Sequence, residues 1–273
     1  MILLDDAQST TAKPSSRFYE NPLHYWRVSP SGDNALDLLS TQSCLEEISN
    51  ALGRGEWVVA AFAYELGRAI HKLPHQLDNS LTHPLVEAWS FKNFSKLSKP
   101  EVDAMISARL EGLAENHRLA GVLDIVESID EAQFSTDIAA IQEYIRSGDS
   151  YQINHTYRIS GKTYGSPLAL YSRLRERQPG RFGAYISHEG YYLLSQSPEL
   201  FIAREGDTLK AMPMKGTASA LSEVASALSD DPKNQAENVM IVDLLRNDLS
   251  RVSLPGTVTV PNLFEVARYG DVL

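Results

Sequence analysis

The clearest period in the chain runs through residues 130–148, where Phe134, Ile138, Ile141 and Ile145 recur at spacings of four, three and four. That repeat puts one apolar stripe on an α-helix. Asp130 and Gln133 precede the stripe as a cap-like pair, and Gly148 stands where such a helix ends. The period then changes to two in YQINHTYRIS, where Tyr151, Ile153, His155, Tyr157 and Ile159 alternate with Gln152, Asn154, Thr156, Arg158 and Ser160. Such alternation predicts a strand with one face on a core and the other on water or a polar ligand.

The continuous apolar run at residues 57–64 predicts a buried strand, followed by a helix over 65–72 that stops before Pro74. A polar stretch, QLDNSLTH, separates it from a second extended run, PLVEAWSF. Ser98 and Pro100 open a predicted helix through SKPEVDAMISARLEGLAENH, and LAGVLDIVES after it reads as extended. Ser166 and Pro167 open another helix, which ends before QPGR, and RFGAYIS and YYLLSQ form two strands joined by a turn at His188 to Gly190. SPELFIAREGDTLKAMPMKGT follows as strand, turn and strand. Asp231 and Pro232 then cap a last helix, in which Ala236, Val239, Met240, Ile241, Val242, Leu244 and Leu245 cover most of the cylinder. That coverage predicts burial on most sides. The whole reads as an α+β fold, mainly antiparallel sheets with packed helices. A change of pattern around residues 118–130 divides it into an N-terminal region, 1–120, and a second region, 121–273.

Composition removes several function classes. Lys and Arg number 25 against 35 Asp and Glu, a formal charge of −10, which is the wrong sign for a general nucleic-acid binder. A single cysteine, Cys44, makes neither an intrachain disulfide nor a thiolate metal cage, and fits a small residue in a helix. MILLDDAQST lacks the basic start and apolar core of a signal peptide, and no run is long and apolar enough to span a bilayer. A soluble, cytoplasmic protein acting on a small molecule or a protein partner is expected.

Candidate chemistry gathers in the last third. In the apolar helix, Glu237 and Asp243 occupy positions where an unpaired charge is costly, so each needs a cation, a metal or dense hydrogen bonding. A salt bridge to Arg246 or Arg251 serves equally well. Lys215 beside Gly216 and Thr217 reads as a solvated loop lysine. Alternatively, Met212, Pro213 and Met214 desolvate the ammonium and favour the neutral, nucleophilic amine. Glu199 lies ahead of an apolar strand at the mouth of a sheet, where a carboxylate can act as general acid or base. The REGD turn brings residues 199 and 215 to the same end of neighbouring strands. His155 reads as a core or supporting histidine, and Arg158 as a carboxylate binder or a surface ion pair.

GDSYQINHTYR, SPELF, PMKGT and DPKNQAENVMIVDLLRNDLSRV occur together in the order and approximate spacing of the chorismate-utilising enzyme family, which residues 130–273 therefore resemble. SSRFYENP and WVVAAFAYELG extend the resemblance through the first third. The resemblance implies the N-terminal portion of the anthranilate synthase component I type of fold, with 1–120 as its component I-like region and 121–273 as the first part of the chorismate-binding catalytic domain. It also implies a longer protein than the one ending at EVARYGDVL, so that the chain alone is expected to be inactive and poorly soluble.

The lysine of PMKGT discriminates within that family. Members that make anthranilate or isochorismate usually carry alanine there, whereas those that make 4-amino-4-deoxychorismate for p-aminobenzoate and folate carry lysine. The resemblance thus assigns Lys215 as the nucleophile that adds to C2 of chorismate and Glu199 as the residue assisting loss of the C4 hydroxyl, with ammonia entering at C4. By the same resemblance Gly216 and Thr217 bind substrate, Glu237 binds Mg2+, and a glutamine amidotransferase partner supplies ammonia. Ser15, Ser16, Arg17 and Phe18 match part of a tryptophan-type effector pocket found in some relatives. Two other readings stay open: an anthranilate or isochorismate synthase type of enzyme, against which Lys215 counts, and a non-catalytic remnant that binds the amidotransferase.

Overall fold

The computed structural model describes residues 1–74, 83–222 and 224–273, so most of the polar stretch QLDNSLTH lies outside the described residues. In chain order the elements are β1 (Ile2–Asp5), β2 (Ser16–Tyr19), β3 (His24–Val28), α1 (Asn34–Gly53), β4 (Trp57–Phe62), α2 (Leu66–His71), β5 (Val86–Phe91), β6 (Ser95–Leu97), α3 (Lys99–Glu111) and α4 (Glu115–Arg118). They continue with β7 (Gly121–Glu127), α5 (Glu131–Ser147), β8 (Ile159–Tyr164), α6 (Pro167–Arg177), β9 (Phe182–His188), β10 (Tyr191–Ser197), β11 (Leu200–Glu205), β12 (Thr208–Met212), α7 (Ala225–Ser229) and α8 (Pro232–Ser250). The strand pairings among the described residues are antiparallel, as the α+β reading expects.

Strand β5 owes its apolar run to burial on both faces. It is the middle of the three-stranded sheet β3-β5-β4, and every one of its residues is buried. Val86 and Ala88 pack with Val28, Cys44, Ile48 and Leu66 under α1 and α2. Trp89 and Phe91 pack on the other side with Ile2, Tyr19, Val59 and Ile186, side chains that belong partly to the five-stranded sheet β10-β9-β1-β2-β6. Alternation along one strand therefore feeds two cores. Helix α1 starts at Asp33, whose carboxylate accepts from the amides of Ala35 and Leu36. It carries Cys44, the small helical residue the sequence suggests, and buries it.

A polar group is buried among these aromatics. Glu87 is 5% exposed and accepts a 2.6 Å hydrogen bond from the Tyr25 hydroxyl. Burial, and after it the bond to Glu87, push the Tyr25 phenol up to about 12 from 10.0. A phenol whose folded pKa lies above its unfolded one binds its proton more firmly in the native state. Stability should therefore hold below pH 10 and fall between pH 10 and about 12. Tyr25→Phe is expected to shrink that alkaline loss, with contributions remaining from Tyr185, also raised to about 12, and from Tyr19 and Tyr191, whose phenols burial raises as well. It should also lower stability at neutral pH by about 1–3 kcal/mol, because a buried carboxylate loses a donor. Urea melts at pH 8 and pH 11 would measure both effects.

The chain forms two compact units, Met1–Asp103 with Arg177–Leu273, and Ala104–Glu176. This division differs from the boundary at 120/121, because β1 pairs along its length with β9 and so ties the first residues to a strand more than a hundred positions later. In the second unit α5 is as the sequence predicts: Asp130 accepts from the Gln133 amide, and Gly148 ends the helix at φ 82°. Two expectations are corrected. Residues 98–117 break at Gly112 into α3 and α4. Of YQINHTYRIS only the end becomes strand, since the ladder with β7 closes where Ser128 and Arg158 exchange bonds, leaving 151–158 without a partner strand.

Candidate active site

The site residues lie in the first unit, on the β11–β12 hairpin and the segment that joins it to α8. Leu200 pairs with Met212, so Glu199 and Lys215 leave the hairpin at the same end. The contact is direct at one point: the Met214 backbone N–H donates to Glu199 Oε1 at 3.2 Å. Glu199 and Thr217 are exposed, whereas Met214, Lys215 and Gly216 are half-buried. The register thus brings an exposed glutamate and a half-buried lysine to the same end of the two strands, residue types that can serve proton transfer and nucleophilic attack.

Gly216 has φ 80°, a left-handed conformation that L side chains avoid. A Cβ added there would lie 3.1 Å from Cγ and Oδ1 of Asn234 in α8 and 3.3 Å from Cδ1 of Leu228 in α7. The segment after it is tied down from the far end of the chain. Ala218 and Leu273 exchange backbone bonds at 3.2 and 2.9 Å, and the Ala220 amide donates to Asp271 at 2.9 Å. The Tyr269 hydroxyl donates to the carbonyl of Pro198, next to Glu199, at 3.4 Å. None of these long-range contacts has a signature in local periodicity.

Helix α8 starts at Asp231, which accepts from the Asn234 amide, with Pro232 in its first turn. The expected burial on most sides is corrected: no residue of α8 is buried, and Val239 and Leu244 are 47% and 46% exposed. The described residues do not supply the apolar cover that its composition calls for. Its carboxylates accordingly find cations on the helix surface, Glu237 with Lys233 at 4.0 Å and Asp243 with Arg246 at 3.3 Å. Among the described residues no three His, Cys, Asp or Glu side chains gather closely enough to hold a metal, so Glu237 contributes a single carboxylate.

Other candidates lie elsewhere. Ser15 donates to Asp6 Oδ2 at 2.8 Å, and the fully buried Ser16 donates to Asp5 at 3.2 Å. Arg17 stacks over Phe94 at 5.9 Å, and Phe18 pairs with Leu3 in the sheet. In the second unit, His155 Nε2 lies 3.0 Å from Asp137 and its ring packs nearly perpendicular to that of Phe134. That contact, and then the one from Gln133, holds the Asp137 carboxyl below the usual range. His155 is thus a supporting histidine.

A family model described as chorismate binding enzyme matches residues 4–273. Aminodeoxychorismate synthase component 1 of Escherichia coli (strain K12) is 31% identical over 230 residues, covering 77% of this chain and 50% of that protein. Anthranilate synthase component 1 of Streptomyces coelicolor is 37% identical over 153 residues, 54% of this chain and 30% of its own length. The crystal structure of anthranilate synthase component I from Streptococcus pneumoniae TIGR4 superposes with a TM-score of 0.68 at 17% identity, covering 96% of this chain and 69% of that one, a likeness of fold. The chain spans about half the length of curated relatives such as the E. coli protein. No helix among the described residues is long and apolar enough to cross a membrane.

Proposed function

The chain belongs to the chorismate-binding enzyme family, and from that premise we propose that it is component I of an aminodeoxychorismate synthase, replacing the C4 hydroxyl of chorismate by an amino group. The observation that carries the proposal is the hairpin geometry, in which Glu199 and Lys215 leave the paired strands at the same end and the Met214 N–H donates to Glu199 at 3.2 Å. In the proposed reaction the Lys215 amine adds at C2 while the C4 hydroxyl leaves as water, having taken a proton from Glu199. Ammonia then adds at C4, the bond from C2 to Lys215 breaks, and Glu199 recovers its proton from the incoming nitrogen. Chorismate and ammonia thus give 4-amino-4-deoxychorismate and water.

Thr217 and the backbone of Gly216 would face the substrate. Glu237 is the ligand this chain would offer Mg2+, an ion that keeps several waters and is held through one or two carboxylates plus anionic substrate oxygens. Bound there, it would supply charge neutralisation for a substrate carboxylate. The name component 1 carried by relatives speaks of an assembly, and a glutamine amidotransferase is the proposed source of ammonia. The natural polypeptide carrying this sequence, given chorismate, Mg2+ and ammonium, is expected to yield 4-amino-4-deoxychorismate, identified by mass against a standard. Anthranilate as product would overturn the proposal. Capture of the amidotransferase with no turnover would favour the non-catalytic reading.

A further inference from the structure

We infer that Asn234 is a positioning residue for Lys215, acting as the rigid platform on which the Lys215-Gly216-Thr217 turn rests; the inference rests on the reaction proposed for this site. Two observations carry it. First, the turn has no room to spare: at Gly216 the backbone takes φ 80°, and the space a Cβ would occupy is closed by the Asn234 amide at 3.1 Å and by Leu228 at 3.3 Å. Second, both of those side chains stand on backbone that is itself fixed. The Asn234 N–H donates to Asp231 Oδ2 at 2.9 Å in the cap of α8, and Gln235 Nε2 donates to the carbonyl of Ser229 at 2.8 Å, joining α8 to the end of the short helix that carries Leu228.

The physical consequence follows from packing. An ångström of movement at a reacting group can cost orders of magnitude in rate, and a glycine at positive φ is among the most mobile points of a backbone unless something bears on it. The Asn234 side chain is compact and planar and closes the space that a side chain at Gly216 would need, and this packing sets the direction in which Lys215 leaves the turn. Asn234 need not touch substrate to affect the chemistry. Its contribution should appear in kcat and leave KM alone.

The test uses the natural polypeptide and four variants. Asn234→Ala, which opens a gap under the turn, is expected to lower kcat about tenfold with KM within twofold, and to speed amide exchange in residues 214–218 without affecting β1 and β2. Asn234→Asp keeps the shape and should retain most of the rate. Gly216→Ala is expected to lose more than Asn234→Ala, and the double variant Gly216→Ala/Asn234→Ala to recover part of that loss, because the obstructing amide is gone. Unchanged kcat and unchanged exchange in Asn234→Ala, or losses that simply multiply in the double variant, would overturn the inference. Lys215→Ala measured alongside separates the two levels: if it keeps full turnover the proposed reaction fails, whereas its loss with an unaffected Asn234→Ala sinks the platform alone.

Discussion

Lys215→Ala is expected to lower formation of 4-amino-4-deoxychorismate by roughly a thousandfold or more, the scale on which removal of a covalent nucleophile acts. Lys215 is half-buried beside Met214, in a segment pinned at Gly216 and Ala218, and no ion pair holds its ammonium among the described residues. Mass spectrometry of protein quenched during turnover should find a chorismate-derived adduct on the peptide containing Lys215, and none in Lys215→Ala. A full rate in the variant, or an adduct on another lysine, would remove Lys215 from the mechanism. Loss of the adduct without loss of product would make Lys215 a bystander that chorismate merely modifies.

The largest stability effect should come from a residue far from this chemistry. Trp89 is 1% exposed, stacks with Tyr25 at 5.5 Å between ring centres and lies where the two sheets share a core with Ile2, Tyr19 and Ile186. Trp89→Ala is expected to lower the unfolding free energy by about 3–5 kcal/mol, from lost apolar burial and an unfilled cavity. Its indole N–H makes no hydrogen bond, so Trp89→Phe sacrifices only volume and should cost clearly less. Urea unfolding followed by circular dichroism would rank the three proteins. Equal losses for Ala and Phe would show that the indole nitrogen matters after all.

Those two sites differ in how they could be read from sequence. The run that holds Trp89 was legible as extended, and β5 is a central strand although Glu87 and Ser90 interrupt its apolar residues. The α5 stripe and its Asp130 cap were equally legible, since each depends on residues within a few positions of one another. The alternation at 151–158 was misleading for the same reason. A strand needs a neighbour, and whether one is present is not a local property. β1 to β3 and α1 were not read as separate elements; β1 is a strand partly through its pairing with β9, whose residues lie far along the chain. Helix α8 carries the composition of a buried helix, and its composition reflects contacts beyond those the described residues make.

At the site, the hairpin register allowed Glu199 and Lys215 to be placed at one end from the REGD turn alone. Their chemistry was not legible from the two residues in isolation, since a glutamate and a loop lysine have ordinary uses. Only their linkage with PMKGT, SPELF and the α8 motif suggested the roles proposed for them. Nothing local marked Asn234 as packing under Gly216 or Tyr269 as bonding back to Pro198. One acts through the volume it occupies under a glycine, the other through a carbonyl 71 positions away.

The exchange of bonds between Ala218 and Leu273 closes a loop that contains both α7 and α8. The entropy of closing a flexible loop grows only as the logarithm of its length, so doubling it costs about 0.6 kcal/mol. Residues 251–268 contribute neither helix nor strand to that loop. Inserted sequence in this segment would leave the Ala218–Leu273 ladder, and the lysine turn it anchors, nearly as stable as before, so chain length is free to vary here while the geometry around Lys215 is kept.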